Sequence, residues 1–225
     1  MNIEYIKVYS PEYELFDKIE VETLKIFDFN ILKCKIPKYF YDSKSLKESI
    51  DKTFMYDDWE PVFQQVGKAY STSTYGGIKS VTNLNDVDAL IDVISFTILK
   101  NFYKGNAITD KITFNRMWMN KMFKGCQGKC HSHFYGVDGG SAVFYYDVPT
   151  NGSKLIILKE KIDGVVEKKH DKIAHYIPVE TGDLIIHHSS VFHAVSEHMS
   201  DSCRICFVFD FEKIQNSADL KFKYN

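Results

Sequence analysis

Four residues in the second half of the chain have the types and spacing to do chemistry together. His131-Ser-His133 sets two imidazoles two positions apart, and alternate residues of a strand point to the same face, so both rings can converge on one ion. Downstream lies Gly182-Asp-Leu-Ile-Ile-His-His-Ser-Ser-Val-Phe-His193-Ala-Val, which reads as a turn, a buried strand, a short loop, and a histidine starting the next strand. The fourth residue, Arg204, opens the run Arg204-Ile-Cys-Phe-Val-Phe-Asp. Two same-face histidines and a distant third can cap one face of a metal ion and leave positions open for substrate and oxygen. That is the facial arrangement of non-haem iron, with a histidine where a carboxylate usually sits. The chain has 28 basic residues, and only Arg116 and Arg204 are arginines. A guanidinium can grip the far carboxylate of a bound dicarboxylic acid in a bidentate way, which lysine cannot.

Positioning these groups requires a β scaffold, and the pattern supplies one. From residue 111 the apolar period becomes strand-like, with candidate strands at 111–121, 130–134, 141–148, 154–159, 173–179, 183–188 and 204–211. Turn signals separate them at Gly125, Gly128, Asp138-Gly-Gly140, Asn151-Gly152, Asp163-Gly164 and Glu180-Thr-Gly-Asp183. The intervals leave no room for crossover helices, so the pattern predicts a mainly β sandwich, barrel or jelly roll. Ile205, Phe207 and Phe209 make the face opposite Arg204 apolar. The N-terminal part predicts β-like runs at 22–29 and 31–36. Ser45-Leu-Lys-Glu48 has capping-box spacing and opens a short helix to about residue 54. A helix over 86–104 places Val87, Leu90, Ile91, Ile94 and Ile98 on one face, with Asn85 or Asp86 as its cap and Gly105 at its end. The expected organisation is one domain over 1–225: N-terminal strands and supporting helices to 105, the core over 106–215, and a polar tail over 216–225.

Composition narrows the function classes. With 44% apolar and 26% charged residues the chain is neither disordered nor collagen nor coiled coil, and 15% aromatic content favours sheet. A formal net charge of −2 offers no field for nucleic acid or anionic lipid. No run approaches the ~18 apolar residues of a membrane span. Five cysteines without a secretory signal read as free thiols in a reducing compartment, so the expected location is cytoplasmic. A zinc reading of Cys126, Cys130, Cys203 and Cys206 fails because positions three apart on a strand face opposite ways. His170, His175 and His198 are expected in solvent or loops. Of His187 and His188, one is expected to line the pocket and the other to face out. The lysine-rich stretch 154–172 reads as a solvated hairpin.

Taken in order, Trp118-x-Asn120, His131-x-His133, Tyr145-Tyr146-x-x-Pro149, Gly182-Asp-Leu, His193-x-Val195 and Arg204-Ile-x-Phe resemble the iron(II)- and 2-oxoglutarate-dependent oxygenases. The nearest likeness is to a subfamily found in bacteria and phages. The resemblance covers roughly 111–211, with a weaker likeness over 26–54. It implies a double-stranded β-helix, a cupin-like jelly-roll barrel with helices packed on one sheet. It implies Fe(II) held by His131, His133 and His193, and 2-oxoglutarate with its distal carboxylate on Arg204, assisted by Tyr145 or Cys206, and with Asn120 as a further cosubstrate contact. The implied activity is hydroxylation of a C–H bond in a peptidyl side chain, an amino acid or a small metabolite, with release of succinate and CO2. Two positions depart from the wider family. His133 stands where Asp or Glu is usual, which keeps Asp138 open as an alternative ligand, and Cys206 stands where Ser or Thr is usual. Two rival readings keep the barrel: a cupin-like three-histidine metalloenzyme that does not use 2-oxoglutarate, and a non-enzymatic binding barrel. The loops around 55–80 and 134–140 are expected to shape the substrate entrance.

Overall fold

Alternation of side chains along the strands fixes the architecture, because each strand of the larger sheet must satisfy two different apolar layers. The computed structural model describes residues 3–4, 13–53, 65–72, 81–105, 110–133 and 139–213. Asp138, the polar tail 216–225 and most of the expected entrance loops lie outside the described residues. In chain order the elements are β1 (Ile3–Glu4), α1 (Tyr13–Phe16), β2 (Val21–Ile26), β3 (Phe29–Lys35), α2 (Lys44–Thr53), β4 (Gln65–Val66) and β5 (Ala69–Ser71). Then come α3 (Asp88–Thr97), β6 (Ile112–Met122), β7 (Gln127–His131), β8 (Gly139–Asp147), β9 (Leu155–Leu158), β10 (Ala174–Ile177), β11 (Asp183–His188), β12 (His193–Val195) and β13 (Arg204–Lys213).

The strands form two antiparallel sheets. The larger runs β1-β6-β13-β8-β11-β3-β2 with β5 added beside β6, and the smaller runs β10-β9-β12-β7-β4. This is the jelly-roll barrel of the double-stranded β-helix, with the helices on one sheet. On β13, Ile205, Phe207, Phe209 and Phe211 turn outward and pack with Leu90, Ile91, Ile94 and Ile98 of the helical layer. Cys206 and Val208 turn inward and join Trp118, Val143, Tyr145, Ile157 and Ile185 between the sheets. The outer face of the smaller sheet, Ile156, Leu158 and Ala194, is covered by Ile162 and Val166 from the lysine-rich stretch. No helix among the described residues is long and apolar enough to cross a membrane.

Several local expectations change. The cap of α2 is Ser43 and not Ser45: Leu46 N donates to Ser43 Oγ at 3.0 Å. The same hydroxyl donates to Asp86 Oδ2 at 3.0 Å, which ties the start of α2 to the start of α3. Asp86 is therefore occupied, and α3 begins after Val87 with no side-chain cap. The helix continues through a π turn over Ile98–Phe102, and Gly105 N donates to Leu99 O at 2.9 Å, a closing bond of the kind its glycine suggests. Gly139 and Gly140 do not form a turn; they begin β8, buried against β13. A Cβ at Gly140 would stand 2.4 Å from the Phe211 ring, so only glycine lets that ring pack there. Gly128 likewise lies inside β7. His198, expected in solvent or a loop, lies in the loop after β12 and is buried there.

Candidate metal centre

Strand pairing brings distant histidines together. His131 ends β7 and His193 begins β12, and the two are direct partners in the antiparallel ladder. Cross-strand partners hold their Cβ atoms close, so two rings separated by sixty-two positions of chain become neighbours. Their centroids lie 4.3 Å apart. His133 follows just beyond β7, where its N–H donates to Ser189 O at 2.9 Å, and its ring lies 5.2 Å from His131 and 5.0 Å from His193. Each of the three offers a ring nitrogen, and these nitrogens lie within 4.8 Å of one another. Donors about 2.1 Å from one ion on a shared face stand about 3.0–3.4 Å apart, so the widest pair would close by roughly 1.5–2 Å on binding.

The tautomers suit ligation. His131 Nδ1 lies 2.8 Å from Lys129 O and His193 Nδ1 lies 3.1 Å from Val191 O. A carbonyl oxygen only accepts, so each Nδ1 carries the proton and each Nε2 keeps its lone pair. His133 Nδ1 lies 2.5 Å from Asp210 Oδ1, which fixes the same tautomer. The His133 ring stacks on Trp118 at 5.7 Å, and the Arg116 guanidinium lies 5.0 Å from the Trp118 ring centroid. Burial lowers His131 to about 4, helped by the neighbouring His133. Burial also holds His193 well below the usual imidazole range, so both rings are neutral donors at neutral pH.

The other end of the barrel holds a cation. Arg204 is 2% exposed. Its NH1 donates to Ser153 Oγ at 2.6 Å and to Met122 Sδ at 3.4 Å, and its NH2 to Cys206 Sγ at 3.9 Å. Its plane lies 4.8 Å from the Tyr145 ring. Arg204 Nε and the fully buried Tyr145 hydroxyl have no hydrogen-bond partner among the described residues, and no described carboxylate pairs with the guanidinium. A buried cation without a counter-charge is costly. Asn120, with its amide oriented to satisfy both neighbours, donates to Ser71 Oγ at 2.7 Å and accepts from Trp118 Nε1 at 3.2 Å, and its side chain also reaches the Cys206 thiol beside Arg204.

Residues 116–210, which span this whole arrangement, match the family described as "Putative 2OG-Fe(II) oxygenase". Over that segment the chain is similar to the 2OG-Fe(II) oxygenases. Solved structures share the oxygenase fold at low identity. AviO1 from Streptomyces viridochromogenes Tue57 superposes with a TM-score of 0.56 at 10% identity, covering 94% of this chain and 98% of that one. A Pseudomonas putida prolyl-4-hydroxylase gives 0.52 at 14% identity over 85% and 96%. EvdO2 from Micromonospora carbonacea var. aurantiaca, complexed with 2-oxoglutarate, gives 0.50 at 12% identity over 96% of each chain. No curated protein matches the chain.

Within this barrel Asp210, Ser153 and His198 escaped the sequence reading, while of His187 and His188 it left open which one lines the pocket. Asp210 carries the same parity on β13 as Arg204, and an acid closing an otherwise apolar inward face was a readable signal. His187 is the inward member of the His187-His188 pair: it is fully buried, its ring lies 4.7 Å from His193, and burial lowers it to about 4. Its Nδ1 lies 3.0 Å from His188 O, and its Nε2 has no partner among the described residues. Ser153 accepts from Arg204, and His198 holds it in place by accepting from Ser153 N at 3.3 Å while donating to Ser202 O at 2.7 Å. These last two contacts involve two loops, and the one between Ser153 and His198 has no short-range pattern.

Proposed function

We propose that this chain is an Fe(II)- and 2-oxoglutarate-dependent oxygenase that hydroxylates a C–H bond of a small-molecule or peptidyl substrate. The observation that carries the proposal is the pairing, inside one barrel, of three convergent imidazoles with a buried guanidinium that no described carboxylate pairs with. His131, His133 and His193 would hold the iron, with the proton of each ring parked on Nδ1 so that Nε2 is free. Arg204 would bind the distal carboxylate of 2-oxoglutarate, and the unpartnered Tyr145 hydroxyl and the Cys206 thiol stand beside it. Bound iron and cosubstrate supply the chemistry in which one atom of O2 enters succinate as CO2 leaves and the other enters the substrate. Trp118 and the bond to Asp210 hold His133 in place, and the apolar wall of Val143, Ile157, Ile185 and Val208 keeps bulk water from the interior.

The three-histidine set also fits a metalloenzyme that needs no oxoacid; the uncompensated Arg204 favours the oxoacid. Anaerobic addition of Fe(II) and then 2-oxoglutarate to the purified chain is expected to give a weak visible charge-transfer band, and air is expected to give succinate. Absence of both the band and succinate overturns the proposal. Oxygen uptake independent of 2-oxoglutarate would transfer the site to the second reading.

A further inference from the structure

Three neutral imidazoles contribute no charge to a divalent ion, and the interior they share is apolar. An ion there keeps both positive charges in a medium that solvates them poorly. Among the described residues the carboxylate in contact with the three rings is Asp210, 6% exposed and 2.5 Å from His133 Nδ1. Asp183 is the other buried acid among the described residues, and it is neutralised by Lys33 at 3.3 Å and Lys35 at 3.1 Å. No described lysine or arginine is within ion-pair distance of Asp210. Its ladder partner is Arg116, whose guanidinium lies against Trp118, and its side-chain hydrogen bond among the described residues is with His133. Its Oδ2 is buried without a partner. A carboxylate left in this state is costly until a positive charge arrives on the far side of the imidazole.

We propose that Asp210 is a positioning residue that supplies the metal site with the negative charge its donor set lacks, delivered through the His133 ring. This rests on the metal reading above. The carboxylate fixes the His133 tautomer and ring plane and raises the donor strength of Nε2, while remaining outside the donor set itself. The site is thus a three-histidine centre by ligand type and a two-histidine, one-carboxylate centre by total charge.

The test uses the full-length chain and its Asp210→Asn variant, which keeps shape and an acceptor oxygen but removes the charge. Two quantities are read: Ni(II) affinity by titration calorimetry, and the Fe(III)/Fe(II) midpoint potential of iron-loaded protein. Ni(II) binding is expected to weaken about 10–100-fold, and the potential to rise, because the oxidised ion loses more from the missing charge. Equal affinity and an unchanged potential overturn the proposal. If Asp210→Asn does not fold, Asp210→Ala is assayed with added formate or formamide: recovery of Ni(II) affinity with formate alone supports a role for charge, and equal recovery with both overturns it. A wild-type chain that takes up neither Ni(II) nor iron overturns the metal reading itself, and is told apart by the loss of binding before any substitution at Asp210.

Discussion

The inward face of β13 ends in opposite charges. Arg204 stands at one end and Asp210 six residues on, about 20 Å of strand at ~3.3 Å per residue, with Cys206 and Val208 between them. The two ends are prepared differently. Around Asp210 every imidazole of the trio already has a partner on Nδ1, so rings and tautomers are set before any ligand arrives. Around Arg204 the guanidinium has a hydroxyl, two sulfur atoms and an aromatic face, but no anion among the described residues. One end is organised by the protein, and the other holds a cation that no described carboxylate pairs with. The difference implies that substitutions at the histidine end cost ligand binding alone or binding and stability together, whereas substitutions at the arginine end cost binding while leaving or raising ligand-free stability.

The largest effect that tests this contrast is His193→Ala. Losing one of three donors is expected to weaken Ni(II) or Fe(II) binding by more than about 100-fold, above the range for a lost outer partner. Calorimetry that finds wild-type affinity would remove the histidine end from the account. Acid separates the ends next. Burial holds His131 and His187 at about 4 in the folded chain, below the ordinary imidazole value of 6.5. Between those values the unfolded chain binds more protons than the native one, so stability falls as pH falls through the window from 6.5 to about 4. The loss is on the order of a few kcal/mol. Thermal melts of metal-free protein from pH 7.5 down to 4.5 check this, and a flat profile would contradict it. Third, Arg204→Met is expected to weaken 2-oxoglutarate binding to the Ni(II)-loaded chain by about 2–5 kcal/mol, as when one partner of a buried charge pair is removed. The metal-free melting temperature is expected to hold or rise, because an uncompensated cation is gone. A large fall in that temperature would show that Arg204 is satisfied by the protein.

The same contrast explains what could be read from the chain and what could not. The trio was legible because its signals are short and periodic: a strand pair His131-x-His133, and a turn-strand-loop ending in His193. The outward apolar face of β13 was legible for the same reason. The Ser153–His198 support under Arg204 was not, because it joins side chains from separate loops whose meeting depends on how the sheets close. Gly139 and Gly140 misled as a turn because a glycine pair signals both chain reversal and close approach, and the Phe211 ring that demands the approach lies seventy-one positions away from Gly140. Ser43 replaced Ser45 as the α2 cap because its second bond, to Asp86, depends on tertiary packing.

The smallest predicted effect is also the most direct probe of the incomplete end. The Tyr145 hydroxyl is fully buried with no partner among the described residues, beneath a guanidinium 4.8 Å from its ring. An unmet hydroxyl contributes nothing to the ligand-free fold and costs its lost hydration, whereas a carboxylate arriving at Arg204 would give it an acceptor. Tyr145→Phe keeps the ring under Arg204 and removes only that donor. Binding of 2-oxoglutarate is expected to weaken by about 1 kcal/mol, roughly fivefold, with ligand-free melting unchanged or slightly raised. The signs matter more than the sizes. A variant that melts lower and binds 2-oxoglutarate as before would place the hydroxyl in the protein's own network, and the arginine end would then be organised in advance as the histidine end is.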